Sequence, residues 1–73
     1  MVVDEFTSLR LEYNNILKRY YGGCNYVMEH PETLEKYLKQ ILGFKDRLNE
    51  IITTLSRAGK PMTEKEILSG FEN

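Results

Sequence analysis

The chain has 73 residues, with ten lysines and arginines against eleven aspartates and glutamates, one histidine, one cysteine and no tryptophan. This length allows one domain at most; the lone cysteine excludes an internal disulfide, and one cysteine with one histidine cannot supply the four ligands of a closed zinc site. A net charge of −1 argues against general nucleic-acid binding, and without a membrane-length apolar run or a signal-like start we expect a cytoplasmic protein.

An apolar stripe predicts a first helix over about residues 4–21. Apolar side chains recur at spacings of three and four, at Phe6, Leu9, Tyr13, Ile16 and Tyr20. This is the period of one face of an amphipathic helix. Asp4 is a candidate N-cap, and Gly22 with Gly23 is expected to end the helix.

Residues 22–30 show no helical period and are predicted to be a connection. Pro31 pushes His30 toward extended geometry and suits the first turn of a following helix. The connection carries Tyr26 and Met28. These side chains either form a partner-binding surface at the loop end or close the end of the bundle.

A second helix is predicted over about residues 31–57, ending at Ala58 and Gly59. Leucine or isoleucine recurs every seven residues, at Leu34, Ile41, Leu48 and Leu55. Flanking apolar residues widen the stripe to roughly half of the circumference, well beyond a narrow coiled-coil seam. Lys45 lies in the middle of this stripe, and either sets a register, for example against Glu12, or extends its amine into water.

A short third helix is predicted over about residues 63–70. Thr63 followed by Glu66 has the spacing of a capping box, and Ile67, Leu68 and Phe71 follow on one side.

The predicted fold is all-α: an antiparallel two-helix hairpin with a short C-terminal third helix. At ~1.5 Å per residue the first helix is shorter than the second and would leave Ile51, Ile52 and Leu55 uncovered. The third helix could fold back over them in a compact monomer. Alternatively a second copy could cover them, and we expect this dimer, a helical bundle joined through the second helix.

We expect this sequence to encode a protein–protein interaction module, an adaptor, regulator or inhibitor that works by burying a helix face against a protein partner or a second copy. The candidate contact residues are Tyr21, Tyr26, Met28, Phe44, Lys45, Ile51, Ile52, Leu55 and Phe71. We expect no enzymatic activity, cofactor, metal or small-molecule substrate, because no catalytic or ligand constellation is evident.

The alternative is an accessory protein that binds nucleic acid. It would use Arg10, Lys18, Arg19 and Tyr20, with cations on phosphates and tyrosine on bases.

Overall fold

The computed structural model describes residues 5–71, and every regular element within that range is helical. Helix α1 spans Glu5–Glu29, a 3₁₀ turn spans Pro31–Thr33, α2 spans Leu34–Arg57 and α3 spans Glu64–Ser69. The molecule is elongated, with extents of 44 × 23 × 21 Å. The predicted all-α hairpin with a short third helix is therefore confirmed, while Asp4, the predicted N-cap, lies outside the described residues.

The first helix is longer than predicted, because it continues through both glycines to Glu29. The prediction that residues 22–30 form an irregular connection is wrong. Tyr20, Cys24 and Val27 extend the apolar stripe at spacings of four and three, and all three are half-buried. A Cβ added to Gly23 would lie 3.4 Å from Ile41 of α2. Packing against α2 thus outweighs the low helix propensity of glycine.

The second and third helices begin and end close to their predicted limits. At the end of α2, Gly59 has a φ of 78°. Its N–H donates to the Ser56 carbonyl, and the Lys60 N–H donates to the Leu55 carbonyl. These two bonds form a Schellman motif. At the start of α3, Thr63 and Glu66 make both hydrogen bonds of the predicted capping box.

Helices α1 and α2 have nearly equal lengths of about 37 and 36 Å and lie antiparallel. Tyr26 meets Tyr37 at one end of the pair, and Lys60, just beyond α2, lies 4.4 Å from the Phe6 ring at the other. The second helix therefore does not extend past the first. The prediction that Ile51, Ile52 and Leu55 are left uncovered is wrong, since it depended on a first helix that ended at residue 21.

The core sits in the half of the hairpin that α3 covers. Its buried members are Tyr13, Leu17, Leu48, Ile51 and Leu55. Met62 and Phe71, from the segments on either side of α3, pack against this cluster. This cluster is thus buried within one chain.

Helix α3 is held on α1 by side chains that bond its carboxyl-terminal end. The Tyr13 hydroxyl donates to the Ile67 carbonyl at 2.7 Å, and the Tyr21 hydroxyl donates to the Leu68 carbonyl. The last carbonyls of a helix lack partners within the helix, so the two tyrosines satisfy two of them. Burial, and secondarily Tyr21, raises the pKa of Tyr13, which favours the protonated donor.

Asn14 fixes the chain immediately after α3. Its side-chain amide donates to the Phe71 carbonyl at 3.0 Å and accepts from the Phe71 N–H at 2.7 Å. Gly70 precedes Phe71 with a φ of 83°, and an added Cβ there would lie 2.5 Å from Oδ1 of Asn14. We call Tyr13, Asn14 and Tyr21 the α3 latch.

Candidate functional site

Three leucines form an exposed row on α2, in the half of the hairpin nearer the loop at residues 30–33. Leu34, Leu38 and Leu42 follow one another at intervals of four, which places them along one side of a helix, and they are 47%, 43% and 46% exposed. Ile52 lies on the same side as Leu34, because 18 residues make five helical turns. Ile52 packs against the core, whereas in the described chain no element covers the leucines.

The apolar surface continues from the leucine row onto α1. Tyr21 and Met28 are seven residues apart and so share one side of α1. The Tyr21 hydroxyl bonds α3, so this is the side on which α3 lies. Met28 is 77% exposed, and Leu68 at the end of α3 is also exposed. Together with the leucine row, these side chains form an apolar surface beside α3.

A groove of about 440 Å³ lies between α1 and α2 on the opposite side of the hairpin. Its lining from α1 consists of Arg19, Gly22, Gly23 and Tyr26, and its lining from α2 consists of Tyr37, Gln40, Ile41 and Phe44. Arg19 and Tyr21 are two residues apart on α1, so their side chains point in nearly opposite directions. The groove and α3 are therefore on different sides.

Two contacts between the long helices bound the groove. At the loop end, the Tyr26 and Tyr37 rings meet edge to face, with centroids 5.7 Å apart. Beyond Phe44, Nε and Nη2 of Arg47 donate to the two carboxylate oxygens of Glu12 at 2.6 and 2.8 Å. The groove thus lies between these two contacts and is open to solvent.

The electrostatics of this side are dominated by the Glu12–Arg47 pair. The hydrogen bond from Arg47 lowers the pKa of the Glu12 carboxyl and outweighs the opposing effect of desolvation. Arg47 also lies 3.3 Å from Glu50. Glu12 thus pairs with Arg47, so the predicted alternative that it pairs with Lys45 is wrong.

The structure divides the nine predicted contact residues into three groups. Ile51 and Leu55 are fully buried, so the prediction that they contact a partner or second copy is wrong: α1 and the α3 region already cover them. Ile52 and Phe71 pack against the core. The side chains of the other five are exposed or half-buried. Tyr21, Met28 and Lys45 lie outside the groove, and Tyr26 and Phe44 line it.

The residues of the nucleic-acid alternative do not form one basic surface. Arg10 lies over the Phe71 ring at 5.5 Å, and Tyr20 packs against the core. Lys18 and Arg19 are exposed but successive, so their side chains point about 100° apart around α1.

Sequence reasoning missed the leucine row and the groove as sites. A stripe that covers half of the α2 circumference needs two neighbouring helices to bury it. Leu42 lies at the edge of this stripe, which indicates that part of the stripe stays exposed. Because Gly22 and Gly23 are predicted to end the first helix, the sequence gives no indication that they line the groove.

Among residues 5–71, none of the helices combines the length and the hydropathy that a bilayer span requires. The same residues contain no group of three or more histidine, cysteine, aspartate or glutamate side chains that could hold a metal ion. Comparisons with protein-family models, curated proteins and solved structures find no significant match to this chain.

Proposed function

We propose that this protein is an interaction module of the adaptor or regulator class, and that it associates with a second copy through the leucine row. The observation that carries the proposal is the row itself. Leu34, Leu38 and Leu42 are each more than two fifths exposed on one helix side, and contiguous exposed apolar surface of this kind marks interaction sites.

The spacing of the row supports pairing with an identical chain. A two-fold interface brings the same patch together from both copies, so the patch must be self-complementary. In an antiparallel pair centred on Leu38, Leu34 of each copy lies opposite Leu42 of the other. Equal intervals of four on both sides of Leu38 allow this match.

Charges beside the row support the same pairing. Glu35 and Lys39 are exposed and lie on one flank of the leucines. In the antiparallel arrangement, each Glu35 lies within about 3 Å, along the helix axis, of Lys39 in the other copy. Opposite charges thus face each other twice, which favours this register.

Sedimentation equilibrium tests the proposal. We expect a reversible dimer with a dissociation constant of about 10–100 µM, because three leucines and their neighbours make a small interface. Leu38→Glu should weaken the dimer at least tenfold, since it places a carboxylate at the two-fold axis beside its own copy.

Leu11→Glu is the matched control. Leu11 is 49% exposed on α1 and lies two residues from Tyr13, on another side of that helix. This variant should dimerise like the unaltered protein. The proposal would be contradicted if the unaltered chain stayed monomeric at about 0.5 mM. It would also be contradicted if both variants lost association equally.

A further inference from the structure

We propose that the groove between α1 and α2 binds the C-terminal residue of a partner protein. The apolar side chain of that residue would enter the groove, and its terminal carboxylate would pair with Arg19. This site is separate from the leucine row and does not depend on dimerisation.

The walls of the groove fit a large apolar side chain. Tyr26, Tyr37, Ile41 and Phe44 contribute rings and a branched chain to the lining. Its volume of about 440 Å³ falls within the ordinary range of small-molecule sites. Aromatic walls with a few polar groups at the edge are typical of such sites.

Glycine at position 22 keeps the groove open. A Cβ added to Gly22 would have no atom within 4 Å, so no contact inside the chain requires glycine there. Glycine in a helix interior nonetheless lowers stability relative to alanine. The missing side chain leaves space in the wall between Arg19 and Tyr26.

Arg19 supplies the charge complementarity. Within the described chain it has neither an ion pair nor a hydrogen-bonding partner, and it lines the groove. The nearest carboxylate on its side of α1, Glu12 at seven residues' distance, is already bonded to Arg47 through both oxygens. An incoming carboxylate therefore meets an unpaired cation at the edge of an apolar pocket.

The short distance between the two contacts that join the helices favours a chain end as the occupant. The Tyr26–Tyr37 ring pair crosses from α1 to α2 at one end, and the Glu12–Arg47 pair crosses at the other. A single terminal residue, whose side chain and carboxylate leave the same Cα, fits between them.

The test is a titration of ¹⁵N-labelled protein with N-acetyl-phenylalanine, followed by amide chemical shifts. We expect the largest shifts at Gly22, Gly23 and Ile41, with a dissociation constant on the order of 1 mM. N-acetyl-phenylalaninamide, which lacks the carboxylate, should bind about two- to fivefold more weakly. Arg19→Gln should remove that difference between the two probes.

Gly22→Leu fills the groove without a cost to the helix. The new side chain has open space at its Cβ, and leucine is a better helix former than glycine, so the melting temperature should hold or rise. Binding of N-acetyl-phenylalanine should be lost. Gly43→Leu is the control, because Gly43 is exposed in α2, has the same open space and does not line the groove.

Two results would overturn the inference: equal binding of the probe to Gly22→Leu and Gly43→Leu, or shifts centred on the leucine row. Repeating the titration on Leu38→Glu separates the two proposals. Groove binding should persist in that variant, and it should also persist if the unaltered chain is a monomer.

Discussion

The Glu12–Arg47 pair joins the two long helices through a bidentate contact on the groove side. Such a fork geometry is stronger than a single hydrogen bond. Both side chains are nevertheless nearly two fifths exposed, so solvent screens much of their attraction. The pair therefore contributes more to the alignment of the helices than to the free energy of folding.

Glu12→Gln should destabilise the fold by about 0.5–1 kcal/mol at neutral pH, the upper range for an exposed pair. The pKa of Glu12 is lowered by Arg47 in the folded chain. Its contribution is thus present above the ordinary glutamate pKa and is lost as the pH falls through the lower folded value.

Urea unfolding at a series of pH values measures this effect. The difference between the unaltered chain and Glu12→Gln should shrink steadily below the ordinary glutamate pKa. Glu64→Gln, at an exposed carboxylate outside this pair, serves as the control. A difference that stays constant down to acid pH would contradict an ionic origin.

Gly70 is the residue at which substitution should cost most for its size. Its backbone, with φ 83° and ψ −179°, occupies a region that is essentially restricted to glycine. In addition, a Cβ would contact Oδ1 of Asn14 at 2.5 Å. Gly70→Ala combines backbone strain with displacement of the α3 latch.

We expect Gly70→Ala to lower the free energy of unfolding by about 2–3 kcal/mol. Gly59→Ala is the comparison, since Gly59 also has a positive φ but open space around its Cβ. That variant should cost about 1 kcal/mol. Equal losses in the two variants, measured by urea unfolding, would show that the contact with Asn14 adds nothing.

At the scale of the elements, α3 depends on α1 for its stability. A helix of six residues is far below the length at which isolated helices persist in water. Its capping box satisfies the amino-terminal end, and the tyrosines satisfy carbonyls at the other end. Side chains thus cap both ends of α3. Those at its amino-terminal end belong to α3 and its N-cap, and those at its carboxyl-terminal end come from α1.

Tyr13→Phe should destabilise the protein by about 1 kcal/mol, because it removes one hydrogen bond to the Ile67 carbonyl while keeping the ring. The edge-to-face contact between Tyr13 and Phe71 can remain. Tyr21→Phe should cost less, since its hydrogen bond is exposed.

Amide hydrogen exchange distinguishes loss of the latch from general loss of stability. In Tyr13→Phe, protection should fall more in α3 than at the centre of α2. Equal loss of protection in both helices would contradict a specific role of Tyr13 in holding α3.

The elements also explain which parts of the fold could be predicted from sequence. The α2 stripe and the Thr63–Glu66 spacing are local patterns, and the helix and the capping box that they predict are both confirmed. The end of α1 was not predictable from Gly22 and Gly23 alone, because contacts with α2 decide it. The hydrogen bonds of the α3 latch join residues that are between 47 and 57 positions apart in the sequence. No local sequence pattern predicts them.

For the whole molecule, the two halves of the hairpin are unequal. One half has three helical layers and contains the buried cluster around Ile51. The other has only α1 and α2, with the leucine row on one side and the groove on the other. The apolar stripes of the sequence indicate that both halves are apolar, but they do not indicate which half the third helix covers.

The α3 latch also bears on how the folded chain can open. Because segments with few buried contacts open locally at a lower free energy than the whole domain, we expect α3 to detach while the hairpin stays folded. Release would uncover Tyr13 and Leu17, since the Phe71 ring meets Tyr13 edge to face and packs against the core cluster that includes Leu17. During such an opening, two phenolic hydroxyls and one amide become free beside an apolar surface that then runs along the whole hairpin. We therefore expect a minor open state of the folded chain whose exposed apolar surface is larger than that of the closed state.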